Sequence, residues 1–494
     1  MEKRYIIGLD EGTTSCRCVI YDTKKNQIVS SISRKFKQYF PKPGWVEHDA
    51  NEIWNKMYEA INESINSLKL SSKNTAGIGI TNQRESVVAW QKSTGKAVTK
   101  SIVWQCRRTA SFCSKIGIRD RAKIRNKTGL IVDPYFSASK IKWLLENEPI
   151  CKELLEKNDL CVGTMDSFIV YKLTNGKAFV TDTTNASRTM LFNIDTLTYD
   201  DWLLNYFSIP KEILPKVVSS NEKVGEFISE AGNFPIAGII GDQQSSLFGQ
   251  ACFDKGMAKC TYGTGCFILS NTGSTRINSK KMLSTIAWTI NNKTTYAMEG
   301  SVFNAGSAID WMVEGAGFIE DAKLTEKYAS SLKSNEGVYL VPAFTGIGAP
   351  YWNAYSTGIL TGITRGTTKA HIARAVLESM AYNVKDILEY MRKNKVNITE
   401  LRVDGGVTKN NFLMQFQSDM LNIPIHLPSN PEITVLGAIL MAGLGLGIYK
   451  SLKDIKEKIS ITKSYNPDMS EHDRNKYYRG WHKAVDKCLY REKK

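Results

Sequence analysis

Two short stretches, "DEGTTSC" at residues 10–16 and "TYGTGCF" at residues 261–267, put the same Gly-Thr turn between apolar runs in both halves of a 494-residue chain. A turn that recurs in equivalent surroundings points to a duplicated unit. Around the first copy, "RYIIGLD" and "CRCVIYD" read as short strands, followed by a third, "NQIVSSISRKF". "DANEIWNKMYEAINESINSL" then reads as a helix, with Asp49 or Asn51 as N-cap and Ile53, Met57, Ile61 and Ile65 on one face. A buried strand, "TAGIGIT", follows and ends in the polar "NQRE". Strand, helix and strand in succession is the α/β pattern. A second round opens near residue 236 with the strand "PIAGIIGD", the helix "QQSSLFGQACF" and the strand–turn–strand "GMAKCTYGTGCFILSNTG". The expected organisation is an α/β domain over residues 1–249, a second over 250–494, and a charged helical tail from about residue 451.

Length supports this division, because 494 residues exceed what one ordinary core holds. No segment joins a basic n-region to an apolar h-region. The longest apolar run, "VLGAILMAGLGLGIY", falls short of the ~20 residues that span a bilayer and reads as a buried helix. The ten cysteines include no C-x-x-C pair, so reduced thiols in a cytoplasmic protein without stable membrane insertion are expected. The net charge of +16 comes from lysines dispersed singly or in pairs. That is a solvated surface and not a nucleic-acid footprint, although a positive field helps to collect polyanions such as ATP.

Four stretches carry candidate chemistry. In "DEGTTSCR" a tight glycine turn lets backbone amides approach phosphate, with Thr hydroxyls and Arg17 as further donors. Asp10 beside that cradle makes sense if a divalent metal lies between it and the phosphates, though an ordinary hairpin reads the same way. In "IIGDQQ", Asp242 emerges at the end of a buried strand, where open α/β sheets place ligand groups. It can serve as a general base, as an N-cap, or as both. "RVDGGVTKNN" joins a strand to a helix through a double glycine, which suits nucleotide contact but is no Walker loop. In "ITNQRE", Arg84 and Glu85 are either a clamp for polyol hydroxyls or a surface ion pair of little energetic weight.

Taken together with "PKPGWVEHDANEIW", "IVWQCRRTA", "TGLIVDPYFSASKIKW", "TDTTNASRTMLFNI", "VPAFTGIGAPYW" and "LTGITRG", these stretches closely resemble the FGGY carbohydrate kinases from residue 4 to about 485. Within that family the resemblance is to the branch that acts on glycerol. It implies two related actin-, Hsp70- and hexokinase-type (ribonuclease H-like) α/β domains flanking a nucleotide cleft. It further implies Mg²⁺-assisted transfer of a phosphoryl group from ATP to glycerol, giving sn-glycerol 3-phosphate, by a homo-oligomeric enzyme (dimer or tetramer). Carried over residue by residue, Thr13, Thr14, Ser15 and Arg17 would meet the nucleotide phosphates. Thr264, Gly306, Asp310, Gly406 and Asn410 would complete the nucleotide side. Glycerol would be held by Arg84, Glu85, Tyr135, Asp242 and Gln243, with Trp104 and Phe267 as apolar walls. Asp242 would be the general base, and Asp10 would hold Mg²⁺ through water.

The chain departs from that pattern at Glu11 and Asp310, where such kinases often carry Gln. Glu11 is expected to point away from the phosphates or towards the metal's water shell. "EFISEAGNFPIAG" also lacks the Gly-Gly-x-Arg-type segment through which some bacterial relatives are inhibited by fructose 1,6-bisphosphate. No such inhibition is therefore expected, and strong inhibition by that sugar in a steady-state assay would overturn the expectation.

Overall fold

The computed structural model describes residues 3–353 and 355–489. Its first half is a six-stranded sheet built from β1 (Tyr5–Glu11), β2 (Ser15–Asp22), β3 (Gln27–Lys35), β4 (Thr75–Asn82), β5 (Lys223–Ser229) and β6 (Gly232–Gly241), ordered β5-β6-β4-β1-β2-β3. Helix α1 (Ala50–Ser67) links β3 to β4, and α2 (Asp242–Gly249) leaves the end of β6. The second half is a seven-stranded sheet of β7 (Ala258–Tyr262), β8 (Cys266–Gly273), β9 (Leu283–Ile290), β10 (Lys293–Val302), β11 (Leu401–Asp404), β12 (Ile425–Pro428) and β13 (Ile461–Tyr465). Their order is β9-β10-β8-β7-β11-β12-β13. Helices α3 (Lys369–Lys393), α4 (Asn411–Leu421), α5 (Ile433–Gly445) and α6 (Glu471–Cys488) alternate with its later strands.

The duplication read from the two Gly-Thr turns is present in the strand directions. In the first sheet β2 runs antiparallel to β1 and β3 antiparallel to β2, while β4 lies parallel to β1, β6 parallel to β4, and β5 antiparallel to β6. The second sheet repeats this series as β8, β10, β11, β12 and β13 around β7, with β9 added outside β10.

Each face of the first sheet is covered by a helix that the apolar pattern made legible. Asp49 caps α1 by accepting from the amides of Asn51 and Glu52, and Ile53, Met57, Ile61 and Ile65 pack on Ile7 and Leu9 of β1. The opposite face is covered from the far end of the chain. Helix α5, apolar all round, lays Val435 and Ile439 beside Ile6, Val19 and Ile240. Among the described residues no helix is long and apolar enough to cross a membrane. All ten cysteines are unpaired and buried.

The tail is not wholly helical. Residues 452–456 and 471–488 are, but Ile461–Tyr465 form the edge strand β13. Four of its five residues are exposed, so no alternation of buried positions marked it in the sequence. Its β-branched residues and the free edge of β12 decide the conformation.

Helix α5 approaches α2 so closely that a Cβ on Gly437 would stand 1.9 Å from the Ser245 carbonyl oxygen. Gly437→Ala is therefore expected to destabilise the protein by about 1–3 kcal/mol, through backbone displacement. A lowered urea midpoint checks this, and an unchanged midpoint would show that the two helices separate freely.

Candidate functional site

The turn after β4 carries Gln83, Arg84 and Glu85 into the space between the sheets, and all three are buried. Glu85 is left-handed, at φ 62°, an uncommon conformation that its surroundings must enforce. Its carbonyl accepts from Lys140 Nζ at 2.9 Å and from Ser137 Oγ at 3.1 Å. Lys140 also donates to the carbonyl of Tyr135 at 2.7 Å. Burial lowers the Lys140 ammonium to about 8, against the attraction of Glu85.

Arg84 and Glu85 are thus no surface pair. The Arg84 guanidinium meets Asp242 Oδ1 at 3.1 Å, Gln244 Oε1 at 3.1 Å and Tyr135 Oη at 3.5 Å. Asp242 is the first residue of α2, where Gly241 occupies the capping position, and its side chain makes no capping bond. Oδ1 instead accepts from the next amide, Gln243 N, at 2.7 Å. The Asp242 side chain is 29% exposed whereas Arg84 is 2%, so the carboxylate sits at the boundary between a buried cation and the open cleft. Three of the aromatic side chains named from the sequence lie together. Trp104 meets Tyr135 edge-on at 5.7 Å and Phe267 edge-on at 6.5 Å.

Trp104 also joins the two Gly-Thr turns. Its Nε1 donates to Thr13 Oγ1 at 3.1 Å, and its ring faces Phe267, three residues beyond Thr264. The first turn closes by Gly12 N donating to Ser15 O at 3.0 Å, with Thr14 exposed at its tip. Across it, the Thr264 carbonyl accepts from Ala305 N and Ser307 N, which sets Gly306 beside the second turn. Gly306 opens a short helix, Gly306–Asp310, and Asp310 at its end is exposed. Gly406 follows β11, and among the described residues, its chain neighbours aside, nothing lies within 4 Å of the position a Cβ would take there. The Asn410 side chain has local work, capping α4 through Leu413 N and donating to Thr325 Oγ1.

Asp10 and Glu11 part company because successive residues of a strand face opposite ways. Asp10 faces Arg17, whose Nε lies at 3.9 Å, while Arg17 Nη1 reaches Glu432 at 2.5 Å. Burial raises the Asp10 carboxyl to about 6, assisted by Asp242 and Glu432 and opposed by Arg17. Glu11 turns to the α1 side, where its Oε1 accepts from Gln83 Nε2 at 2.6 Å beside His48. Burial drives the Glu11 carboxyl well above its ordinary range, against that hydrogen bond. Glu11 points away from Asp10 and Arg17.

Several polar groups at the site were not read from the sequence: Arg188, Glu299, Lys259 and Lys140. Arg188, Glu299 and Lys259 are each a lone charge in an apolar or small-residue stretch, and that isolation was the available signal, whereas Lys140 is masked by the nearby Lys142. Lys259 donates to Gln243 Oε1 and, at 2.8 Å, to Thr261 Oγ1. Asp404, just before the double glycine, accepts from Ser246 at 2.8 Å and Gln250 at 2.5 Å, tying β11 to α2 and the residue that follows it.

Comparison with known proteins accounts for this arrangement. The model of the FGGY family of carbohydrate kinases, N-terminal domain, matches residues 5–249, and that of the C-terminal domain matches residues 258–446. The chain belongs to the FGGY carbohydrate kinases. Among its relatives are the glycerol kinase of Bacillus cytotoxicus, 49% identical over 98% of both chains, and that of Bacillus subtilis, 49% identical over 98% of this chain and 99% of the relative. Among solved structures, Plasmodium falciparum glycerol kinase with ADP superposes with a TM-score of 0.92 at 36% identity, covering 99% of this chain and 98% of that one. A ligand-bound xylulose kinase from Lactobacillus acidophilus gives 0.88 at 25% identity, over 98% and 97%. An FGGY kinase fold therefore frames the cleft between the two sheets.

Burial keeps the Glu11 carboxyl protonated to higher pH in the folded chain than in the unfolded chain, which ionises it from about pH 4.5 upward. The folded state thus holds the extra proton, and stability falls as pH rises above that value. Glu11→Gln keeps shape and neutrality and should remain active. In metal-free buffer its melting temperature should match wild type near pH 4 and exceed it increasingly towards pH 8. A difference independent of pH would show that Glu11 is ionised in the folded chain.

Proposed function

We propose that the protein is an ATP-dependent glycerol kinase, forming sn-glycerol 3-phosphate. The observation that carries this reading is Asp242, partly exposed at the cleft and held through Oδ1 by the buried guanidinium of Arg84. Among the described residues both of its bonds fall on Oδ1, which leaves Oδ2 to accept the proton of a substrate hydroxyl. Arg84, Glu85 and Tyr135 supply charged and hydroxyl partners for a small polyol, and Trp104 and Phe267 limit its length. The 49% identity to glycerol kinases over nearly the whole chain supports the choice of glycerol over a longer sugar.

On the nucleotide side, Thr13, Thr14, Ser15 and Thr264 lie on the two facing turns and would donate to the phosphates of ATP. Arg17 adds charge, and Gly306, Asp310, Gly406 and Asn410 line the remainder. The open space at Gly406 suits the close approach of a ligand to bare backbone.

Magnesium fits the donor set at Asp10. Among the described residues no group of three or more His, Cys, Asp or Glu side chains could hold a metal ion. A cation held mainly by phosphates and water, with one carboxylate behind it, needs no such cage. Asp10 is a hard oxygen donor whose buried charge, beside Asp242 and Glu432, a divalent cation would relieve. Bound there, Mg²⁺ would offset charge on the transferring phosphates. The protein's own part is to orient the hydroxyl, take its proton on Asp242, and exclude water.

Asp242→Asn should lower kcat by at least about a hundredfold, the scale of a positioned general base, while nucleotide still binds. Glycerol- and magnesium-dependent ADP release over a panel of polyols and ketoses, with calorimetric titration of ATP, checks both halves. Wild-type turnover in the variant would remove Asp242 from the mechanism, and preference for a ketose would remove glycerol.

A further inference from the structure

Arg84 and Glu85, the two charged residues assigned to the polyol, do not hold their own positions. Behind them lie Arg188, from the segment after the helix Thr183–Ala186, and Glu299, from β10 of the second half. Glu299 accepts from Arg84 Nη1 at 2.7 Å and from Arg188 Nη2 at 2.9 Å. Arg188 Nε donates to Glu85 Oε1 at 2.6 Å, and Glu85 lies 3.9 Å from Arg84 Nε. The four side chains close a ring of alternating charge, each no more than 2% exposed. The Arg188 guanidinium also stands 5.7 Å from the centre of the Tyr135 ring. Arg188 and Glu299 therefore reach Arg84, Glu85 and Tyr135 without belonging to the assigned polyol set.

Arg188 Nη1 is buried and has no hydrogen-bond partner among the described residues. An unmatched donor on a buried cation is tolerated where function keeps it. β10 is moreover fixed through its neighbour β9 to the first half, by Ser187 to Thr285 and Thr183 to Thr289, each at 2.9 Å. The ring thus spans the two halves on the side where they are stitched together. Burial opposes ionisation of Glu299, but Arg188 and Arg84 outweigh it and bring its carboxyl down to about 2, so Glu299 stays charged between the two guanidiniums.

We propose that Arg188 and Glu299 are positioning residues that set the affinity for the polyol, by fixing the Arg84 guanidinium and the Glu85 carboxylate before substrate arrives. The inference rests on the glycerol kinase reading. It goes further by assigning polyol affinity to two residues that need not touch the polyol. Glu85 Oε1 is occupied by Arg188, which leaves the carboxylate turned in one direction. Without Glu299 the Arg84 guanidinium loses two of its contacts and is held only by Asp242, Gln244, Tyr135 and the more distant Glu85, which no longer fix its plane.

The test compares Glu299→Gln, Arg188→Met and the double variant, measuring KM for glycerol and for ATP separately. Each single variant should raise KM for glycerol by at least about tenfold, because misplaced binding groups lose affinity steeply. KM for ATP should stay within about twofold, since among the described residues no hydrogen bond or ion pair joins the four side chains of the ring to either Gly-Thr turn. The double variant removes one charge of each sign, so its penalty should be smaller than the product of the two single effects. A parallel rise in both Michaelis constants, or an unchanged glycerol KM, would overturn the proposal. Should Arg188→Met or Glu299→Gln fail to fold, Arg188→Lys keeps the charge without the fork, and its glycerol KM should still rise selectively. Failure of the underlying reading is distinguishable: wild type would then prefer another polyol, and the selective rise would be sought with that substrate.

Discussion

A guanidinium withdrawn from water has to be met by anions placed around it, and Arg84 is such a group. Its plane is engaged by Glu299, Asp242 and Gln244, which come from a strand of the second sheet and from the first turn of α2. No local segment could supply that set. The turn after β4, the segment near residue 188 and β10 have to converge, and they do so only if both sheets are formed and docked. The same convergence delivers Asp242 to the cleft with one oxygen engaged. The stability of the docked halves and the geometry of the site are therefore one constraint.

The parts of the fold that could be read from the sequence are those whose cause is local. Apolar runs ending in polar turns mark β1, β4 and β6, and the 3.6-residue spacing of Ile53, Met57, Ile61 and Ile65 marks α1. The two Gly-Thr turns signalled a duplication that the matching strand order of the two sheets bears out. What could not be read depends on partners far along the chain. Arg188 and Glu299 are separated by 111 residues, and each looks like an isolated charge until the fold brings them together. Asp242 shows the same limit from another side. A carboxylate opening a helix reads as a cap, and only the position of Arg84 turns it towards the cleft. The edge strand β13 was hidden because solvent faces both of its sides.

The paired acids of the first strand show how little is needed to separate two identical chemistries. Asp10 and Glu11 are adjacent, and strand alternation alone sends one to the cleft and the other beneath α1. There Glu11 meets Gln83, whose Oε1 in turn accepts from Ser86, which receives the amide of Trp104. Glu11 thus lies on the α1 side of the sheet, away from Asp10 and Arg17, where burial favours its neutral form.

Helix α5 has a consequence for the order in which the molecule is made. It is encoded after residue 432, yet it covers Ile6, Val19 and Ala76 of the first sheet. While the chain is being synthesised, that face of the N-terminal sheet stays without its cover until nearly nine-tenths of the protein has left the ribosome. The first half thus lacks one cover of its sheet until late in synthesis, although its strands are contiguous in sequence. A nascent N-terminal half exposes an apolar sheet surface that the growing chain itself must eventually close.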